Sequence, residues 1–181
     1  LKLIKIASSE ISNYPFLLEH SLKNSNLILS TGMSNLKEIK MALSVLSYGY
    51  LCCKKKIKPN PTLINFKKSF NSRAGQKLLK EKVSLLHCVS EYPAPNDQLN
   101  LLSIKFLKKN FRLKIGFSDH SNGTLASETA VALGAEIIEK HLTLNKNSTG
   151  PDHKASLSPF EFKNLVNRIK VIEHSLGEEK K

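Results

Sequence analysis

At 181 residues, with 40% hydrophobic and 24% charged content, the chain has the size and make-up of one globular domain with a real core. No apolar run approaches the roughly 18 residues of a membrane span, and three cysteines, two of them adjacent (Cys52, Cys53, Cys88), exclude a disulfide framework and a Cys-x-x-Cys metal site and point to a reducing cytoplasm. The net charge of +13 raises nucleic acid as a partner, but the lysines are scattered apart from Lys54 to Lys56 and arginine is scarce, so the charge reads as a solvated basic surface, with steering of anionic substrates second and nucleic acid last.

In chain order, five short apolar runs read as buried parallel strands: Leu3 to Ala7, Leu27 to Leu29, Val83 to His87, Leu113 to Phe117 and Glu136 to Glu139. Each runs into a polar cluster: Ser8-Ser9-Glu10, Ser30-Thr31-Gly32, Ser90-Glu91-Tyr92, Ser118-Asp119-His120, and His141 with Thr143. Helical periodicity fills the gaps. Tyr14-Pro15 opens a short helix with Leu17, Leu18 and Leu22. Ser34 is placed to cap a helix carrying Leu36, Ile39, Leu43 and Leu46. Leu101, Ile104 and Leu107 mark the next helix. Leu125, Thr129, Ala130 and Leu133 mark another, with Gly134 just past its end. The last helix is the best defined: Ser158-Pro159-Phe160-Glu161 is a capping box with proline at N1, followed by Phe162, Leu165, Val166, Ile169 and Ile172, and stopped by Gly177.

One segment interrupts this order. Residues 52–82 are basic and contain Pro59-Asn60-Pro61, so 54–82 reads as an insertion on the surface, with a helix around Ala74 to Lys80. The remainder, residues 1–177, reads as one run of βα units, and residues 178–181 as a polar tail that frays. Repeated βα units imply a parallel sheet with right-handed crossovers. A complete (β/α)₈ barrel takes about 250 residues, so this α/β chain supplies about five of its eight units or forms a smaller open sheet. No Gly-x-Gly-x-x-Gly follows the first strand, so a dinucleotide fold has no support.

Polar groups just past the C-terminal ends of parallel strands are where such folds build active sites. His120 and His141 end two successive strands, and two imidazoles on adjacent strands can converge on one Mn, Fe, Co or Zn ion. Two ordinary hydrogen-bonded histidines are an equal reading of the same residues. Asp119 can orient His120 or simply accept loop amides. Lys5 lies inside the first strand, where a lysine needs an anionic partner. With Ser8, Ser30, Ser90 and Ser118 it forms a set suited to phosphate or carboxylate, although each serine alone is commonly a cap. Asp152 in GPDH suits a polyhydroxylated ligand or a turn. Tyr92, on a rigid Pro-rich loop, offers a face for stacking. Glu10 and Glu91 are candidate acid–base groups. His87 and His153 read as structural, and Cys88 as a small core residue.

The motifs KIASSE, ILSTGM, LLHCVSEYPAP, IGFSDH, ALGAEIIEKHLTL and GPDHKASLSP, in this order, resemble the sialic acid synthase family, which includes N-acetylneuraminate, legionaminate and pseudaminate synthases. The resemblance covers most of the chain. It implies a (β/α)₈ TIM barrel that condenses phosphoenolpyruvate with an N-acetylmannosamine-type sugar and releases phosphate. A divalent metal, Mn²⁺ first and Mg²⁺ or Co²⁺ after it, polarises the sugar aldehyde. By the same resemblance His120 and His141 are the metal ligands and catalytic. Lys5, Ser8, Ser30, Ser90 and Ser118 contact phosphoenolpyruvate. Glu10, Tyr92 and Asp152 lie near the sugar, with Glu10 also catalytic. It further implies a cytoplasmic homodimer, earlier strands carrying a glutamate and a lysine of the reaction, and a C-terminal antifreeze-like domain. On this view the chain is a fragment covering the last five units of the barrel, active only in its longer context or an inactive remnant. Another phosphoenolpyruvate-using barrel synthase is the alternative within the same class. The motifs resemble the neuraminate and legionaminate branch more than the pseudaminate one.

Overall fold

A computed structural model describes residues 3–178. It divides into two compact units, one ending at Leu85 and the other beginning at Leu86. The first holds β1 (Leu3–Ile6), α1 (Tyr14–Leu22), β2 (Asn26–Ser30), α2 (Leu36–Lys55), α3 (Leu63–Asn71), α4 (Arg73–Lys82) and the opening half of β3 (Val83–Cys88). The second holds the closing half of β3, α5 (Ser103–Phe111), β4 (Lys114–Asp119), α6 (Leu125–Ala132), β5 (Ile138–Lys140) and α7 (Pro159–Leu176). In the first unit β1 pairs in parallel with β2, with Lys5 opposite Ile28. In the second β4 pairs in parallel with β5, with Ser118 opposite Glu139 and Asp119 opposite Lys140. The repeated βα order and the parallel pairing make the chain a partial (β/α)₈ barrel. The expected strands are all present, each within about two residues of its sequence limits.

β2, β3 and β4 are buried as parallel strands covered on both faces are, whereas Leu3 and Lys5 of β1 are exposed and Ile138–Lys140 of β5 is half-buried, so these two are not the buried strands expected. Leu85, Leu86, Ile115 and Phe117 are wholly inaccessible. Burial of each such side chain contributes roughly 1.5–3 kcal/mol. Gly116 lets β4 approach its neighbour, since a Cβ there would lie 2.4 Å from the Ile137 carbonyl oxygen. No helix among the described residues is long and apolar enough to cross a membrane.

Three local expectations are corrected. The cap of α2 is Asn35, not Ser34. The Asn35 side chain accepts from the amides of Lys37 and Glu38, and Glu38 returns the bond to the Asn35 amide at 2.8 Å, which completes a capping box. The stretch 52–82 lies largely on the surface, but it is mostly helical and packed on α2 rather than a plain loop. α2 runs on through Cys52 and Cys53 to Lys55, and α3 and α4 fold back on it, the latter longer than the expected 74–80 helix. Leu78 and Leu79 are buried there, and the Asn60 amide donates to Tyr48 Oη at 2.6 Å, which ties the Pro-flanked turn to α2. In α6 the inner face is Ala126, Ser127, Ala130 and Val131, whereas Leu125 is 75% exposed and Thr129 is also outside. Small residues face inward because the helix lies close over the strand ends.

The last helix begins with the expected capping box. Ser158 Oγ accepts from the Glu161 amide and Glu161 accepts from the Ser158 amide. Of its expected apolar stripe only Leu165 is buried, and Arg168 reaches Glu128 and Thr124 of the α6 region. Gly134 and Gly177 follow their helices with positive φ, as expected. The polar tail expected at 178–181 lies, beyond Glu178, outside the described residues.

Candidate functional site

The second unit gathers its polar side chains at the ends of β4 and β5. Successive strand residues point to opposite faces, so Ser118, His120, Glu139 and His141 share one side of this ladder and Asp119 and Lys140 the other. On the first side the His120 and His141 rings lie 5.7 Å apart, nearly edge to face. Tyr92 stacks on His120 at 4.1 Å and turns its edge to His141 at 5.8 Å. Asp152 brings a carboxylate oxygen to 3.8 Å from His141 Nδ1. His120, His141, Tyr92, Ser118 and Asp152 of the expected set are thus brought together.

Hydrogen bonding fixes the state of His120. Its Nδ1 lies 2.7 Å from the Val89 carbonyl, which can only accept, so Nδ1 carries the proton. In the neutral ring Nε2 is then a bare lone pair. Ser118 Oγ sits 3.2 Å from Nε2, but its one proton goes to Glu139 Oε1 at 2.7 Å. Ser118 Oγ thus stands between two acceptors, Nε2 and Glu139 Oε1, and the shorter contact to Glu139 leaves the Nε2 lone pair open to a cation. Burial, followed by the neighbouring His141, lowers the His120 pKa below its ordinary value, against the raising effect of Val89 and the nearby carboxylates. A lowered pKa keeps the lone pair available near neutral pH. A second imidazole within reach makes the pair suited to a divalent ion. Among the described residues no group of three or more His, Cys, Asp or Glu side chains converges on one point, so two histidines would leave the remaining positions to water and substrate.

The opposite side of the ladder is dry. Asp119 and Lys140 have side-chain exposures of 0% and 1% and pair at 3.1 Å. Asp119 also accepts from the Ser121 amide at 2.8 Å, from Ser121 Oγ at 2.6 Å and from Ser127 Oγ at 2.6 Å. Lys140 donates to the Ser121 carbonyl as well. Burial lowers the Lys140 pKa while Asp119 opposes that shift. Asp119 thus serves the loop and Lys140. The proton on His120 Nδ1 goes to Val89, so of the two readings of Asp119 a direct hydrogen bond to that ring is excluded and acceptance of a loop amide holds.

The remaining expected residues are placed as follows. In the first unit, Lys5 lies on β1 with its side chain exposed, and Ser8 opens a single 3₁₀ turn that ends at Glu10. Glu10 accepts from Asn13 Nδ2 at 2.7 Å. Ser30 ends β2, is 3% exposed, and its hydroxyl has no hydrogen-bond partner among the described residues. In the second unit, Ser90 and Glu91 are exposed. His87 donates from Nε2 to the Leu99 carbonyl at 2.7 Å and stacks on Phe117, and His153 bonds Thr143 Oγ1 at 2.7 Å, so both are structural as expected. Cys88 is buried, and Cys52, Cys53 and Cys88 form no disulfide with one another. Sequence reasoning missed Glu139, Lys140 and the Val89 carbonyl. The run Glu139-Lys140-His141 carried a signal for the first two, because strand alternation puts Glu139 beside the histidines and Lys140 behind them.

Parallel βα units that gather imidazoles, hydroxyls and carboxylates past their strand ends define an α/β barrel of the enzyme type. The chain belongs to the NeuB family, which it matches over residues 1–181. It is 44% identical over 178 residues to the N,N'-diacetyllegionaminic acid synthase of Campylobacter jejuni subsp. jejuni serotype O:2, covering 98% of this chain and 45% of that protein. It is 38% identical over 179 residues to the N,N'-diacetyllegionaminic acid synthase of Legionella pneumophila, covering 98% of this chain and 43% of that protein. The chain thus spans less than half the length of these relatives. Among solved structures, the N-acetylneuraminic acid (sialic acid) synthetase of Leptospira borgpetersenii serovar Hardjo-bovis in complex with citrate superposes with a TM-score of 0.78 at 34% identity, over 99% of this chain and 53% of that one.

Proposed function

We propose that this chain is the site-bearing part of a nonulosonic acid synthase that condenses phosphoenolpyruvate with an N-acetylmannosamine-type sugar in the cytoplasm, as a homodimer. Carbon 3 of phosphoenolpyruvate bonds to the aldehyde carbon of the open-chain sugar. Water adds at carbon 2, and phosphate leaves as the new keto group forms. The observation that carries this reading is the His120 ring, held with its proton on Nδ1 by the Val89 carbonyl, beside His141 at the ends of β4 and β5.

A divalent ion, Mn²⁺ first, held by His120 and His141, supplies Lewis-acid polarisation of the aldehyde. The Val89 carbonyl holds the His120 proton on Nδ1 and so keeps Nε2 available. Tyr92 holds the His120 ring by stacking and leaves a hydroxyl for the sugar. Asp152 lies 3.8 Å from His141 Nδ1 and offers acceptors to sugar hydroxyls. We assign Lys5, Ser8, Ser30, Ser90 and Ser118 to the phosphate and carboxylate of phosphoenolpyruvate. The unpartnered hydroxyl of Ser30 supports that assignment, since a buried polar group without a partner is costly and a bound anion satisfies it. Glu10 is assigned to the sugar and to proton transfer. The two legionaminic acid synthases among the relatives favour the 6-deoxy diacetamido analogue as acceptor.

The test is incubation of the protein that carries this chain with phosphoenolpyruvate, Mn²⁺ and either N-acetylmannosamine or its 6-deoxy diacetamido analogue. Release of one phosphate per 3-deoxy-2-keto acid formed, with the diacetamido sugar preferred, is expected. Phosphate release with neither sugar would leave the inactive-remnant reading or another phosphoenolpyruvate-using synthase.

A further inference from the structure

The buried ion pair behind the histidines has no part in the chemistry above. Its wiring is specific. Lys140 Nζ binds Asp119 Oδ2 at 3.1 Å and also the Ser121 carbonyl. These two residues flank His120 on either side, and Lys140 itself precedes His141. One ammonium therefore ties both neighbours of one imidazole to the neighbour of the other. Asp119 is held in turn by the Ser121 amide and hydroxyl and by Ser127 of α6. Because Asp119 and Lys140 are register partners on the side of the ladder away from the rings, the pair cannot touch a ligand held by the imidazoles.

Stability does not account for this arrangement, since replacing a buried ion pair with apolar residues of similar volume is often neutral or stabilising. What apolar packing lacks is the length and direction of charge-assisted hydrogen bonds. We propose that the Asp119–Lys140 pair is a positioning device that fixes the spacing of His120 and His141 and thereby sets the metal affinity of the two rings. The affinity half rests on the metal reading above. The spacing half does not.

The double variant Asp119→Asn/Lys140→Met removes both charges and keeps the volume and the two Ser121 bonds, while the Ser127 hydroxyl turns to accept from the new amide nitrogen. Three properties are measured beside the single variant Lys140→Met: the melting temperature, Mn²⁺ affinity by water-proton relaxation, and the nuclear Overhauser contact between the two imidazoles in metal-free protein. The single variant is expected to melt lower, because it leaves a buried carboxylate without its cation. The double variant is expected to recover the melting temperature, yet to lose the ring contact and to bind Mn²⁺ at least about tenfold more weakly, as loss of an outer support of a metal ligand does. A double variant with the ring contact and Mn²⁺ affinity of the unaltered chain would overturn the proposal. Loss of the ring contact in a protein that binds no Mn²⁺ before or after substitution would keep the spacing role and remove the metal reading. Should the double variant not fold, Ser127→Ala takes one hydroxyl from Asp119 and nothing from the rings. It is expected to weaken Mn²⁺ binding by about twofold to threefold, below the range for a direct outer support, and an unchanged affinity and ring contact there overturn the proposal.

Discussion

The packed helices of the first unit and the strand tips of the second use their residues in opposite ways. Where α1 crosses α2, contact is decided by shape. A Cβ on Gly49 would lie 1.8 Å from Ser21 Oγ, and Tyr50 is wholly buried with its hydroxyl donating to the Ser25 carbonyl at 2.8 Å. The buried hydroxyls of that crossing bond to backbone carbonyls, Ser21 Oγ to Leu18 at 2.8 Å and Ser47 Oγ to Ser44 at 3.0 Å. At the tips of β4 and β5 the rings of His120, His141 and Tyr92 pack on one another, with His120 buried, His141 half-buried and Tyr92 exposed. Rigid support and open chemistry are thus separated, as catalytic groups on a fixed scaffold require.

Substitutions in the two regions should therefore fail differently. The largest effect is expected from His120→Ala or His141→Ala in the active protein: turnover falls on the order of 10³-fold, as loss of several kcal/mol of charge stabilisation implies, with melting little changed. Near-normal rates in both would remove the ligand assignment. Gly49→Leu should do the reverse. Urea titration is expected to show a loss of about 3 kcal/mol, since overpacking forces α1 and α2 apart, while any turnover measured on the surviving folded fraction stays normal. A wild-type midpoint would mean the helices separate freely.

Smaller effects sharpen the assignment within the site. Lys5→Ala should raise KM for phosphoenolpyruvate by about tenfold, the worth of one charged hydrogen bond, and Asp152→Asn should raise KM for the sugar instead. An unchanged phosphoenolpyruvate KM removes Lys5 from the anion group, and a pure phosphoenolpyruvate defect in Asp152→Asn exchanges the two roles. The smallest effect concerns the cap of α7. Lys146 and the Ser158 amide hold the Glu161 carboxyl down at about 2. A depressed folded pKa means that its contribution is full above the ordinary carboxyl value and is lost as pH falls toward about 2. Solvent screening keeps this contribution small, because the Glu161 side chain is nearly half exposed. Glu161→Gln should flatten the acid limb of the stability profile in that window, and an identical limb would show that the cap carries no pH dependence.

The strands, most helices, the capping box at Ser158 and the histidines at the ends of β4 and β5 were legible because each depends on local pattern: apolar runs, turn residues and spacing along one segment. The inner face of α6 was not, because its alanines and Ser127 are selected by closeness to the strand ends rather than by hydrophobicity. Nor was the packing of 54–82, where two short amphipathic helices gain their place only by covering α2. Sequence by itself determined the βα order, the family and the identity of the groups past the strand ends. Only the tertiary structure decided which of them meet. The proton on His120 is set by the Val89 carbonyl, and the fate of Lys140 by its register with Asp119. Both depend on contacts between segments far apart in the chain, which no local pattern encodes.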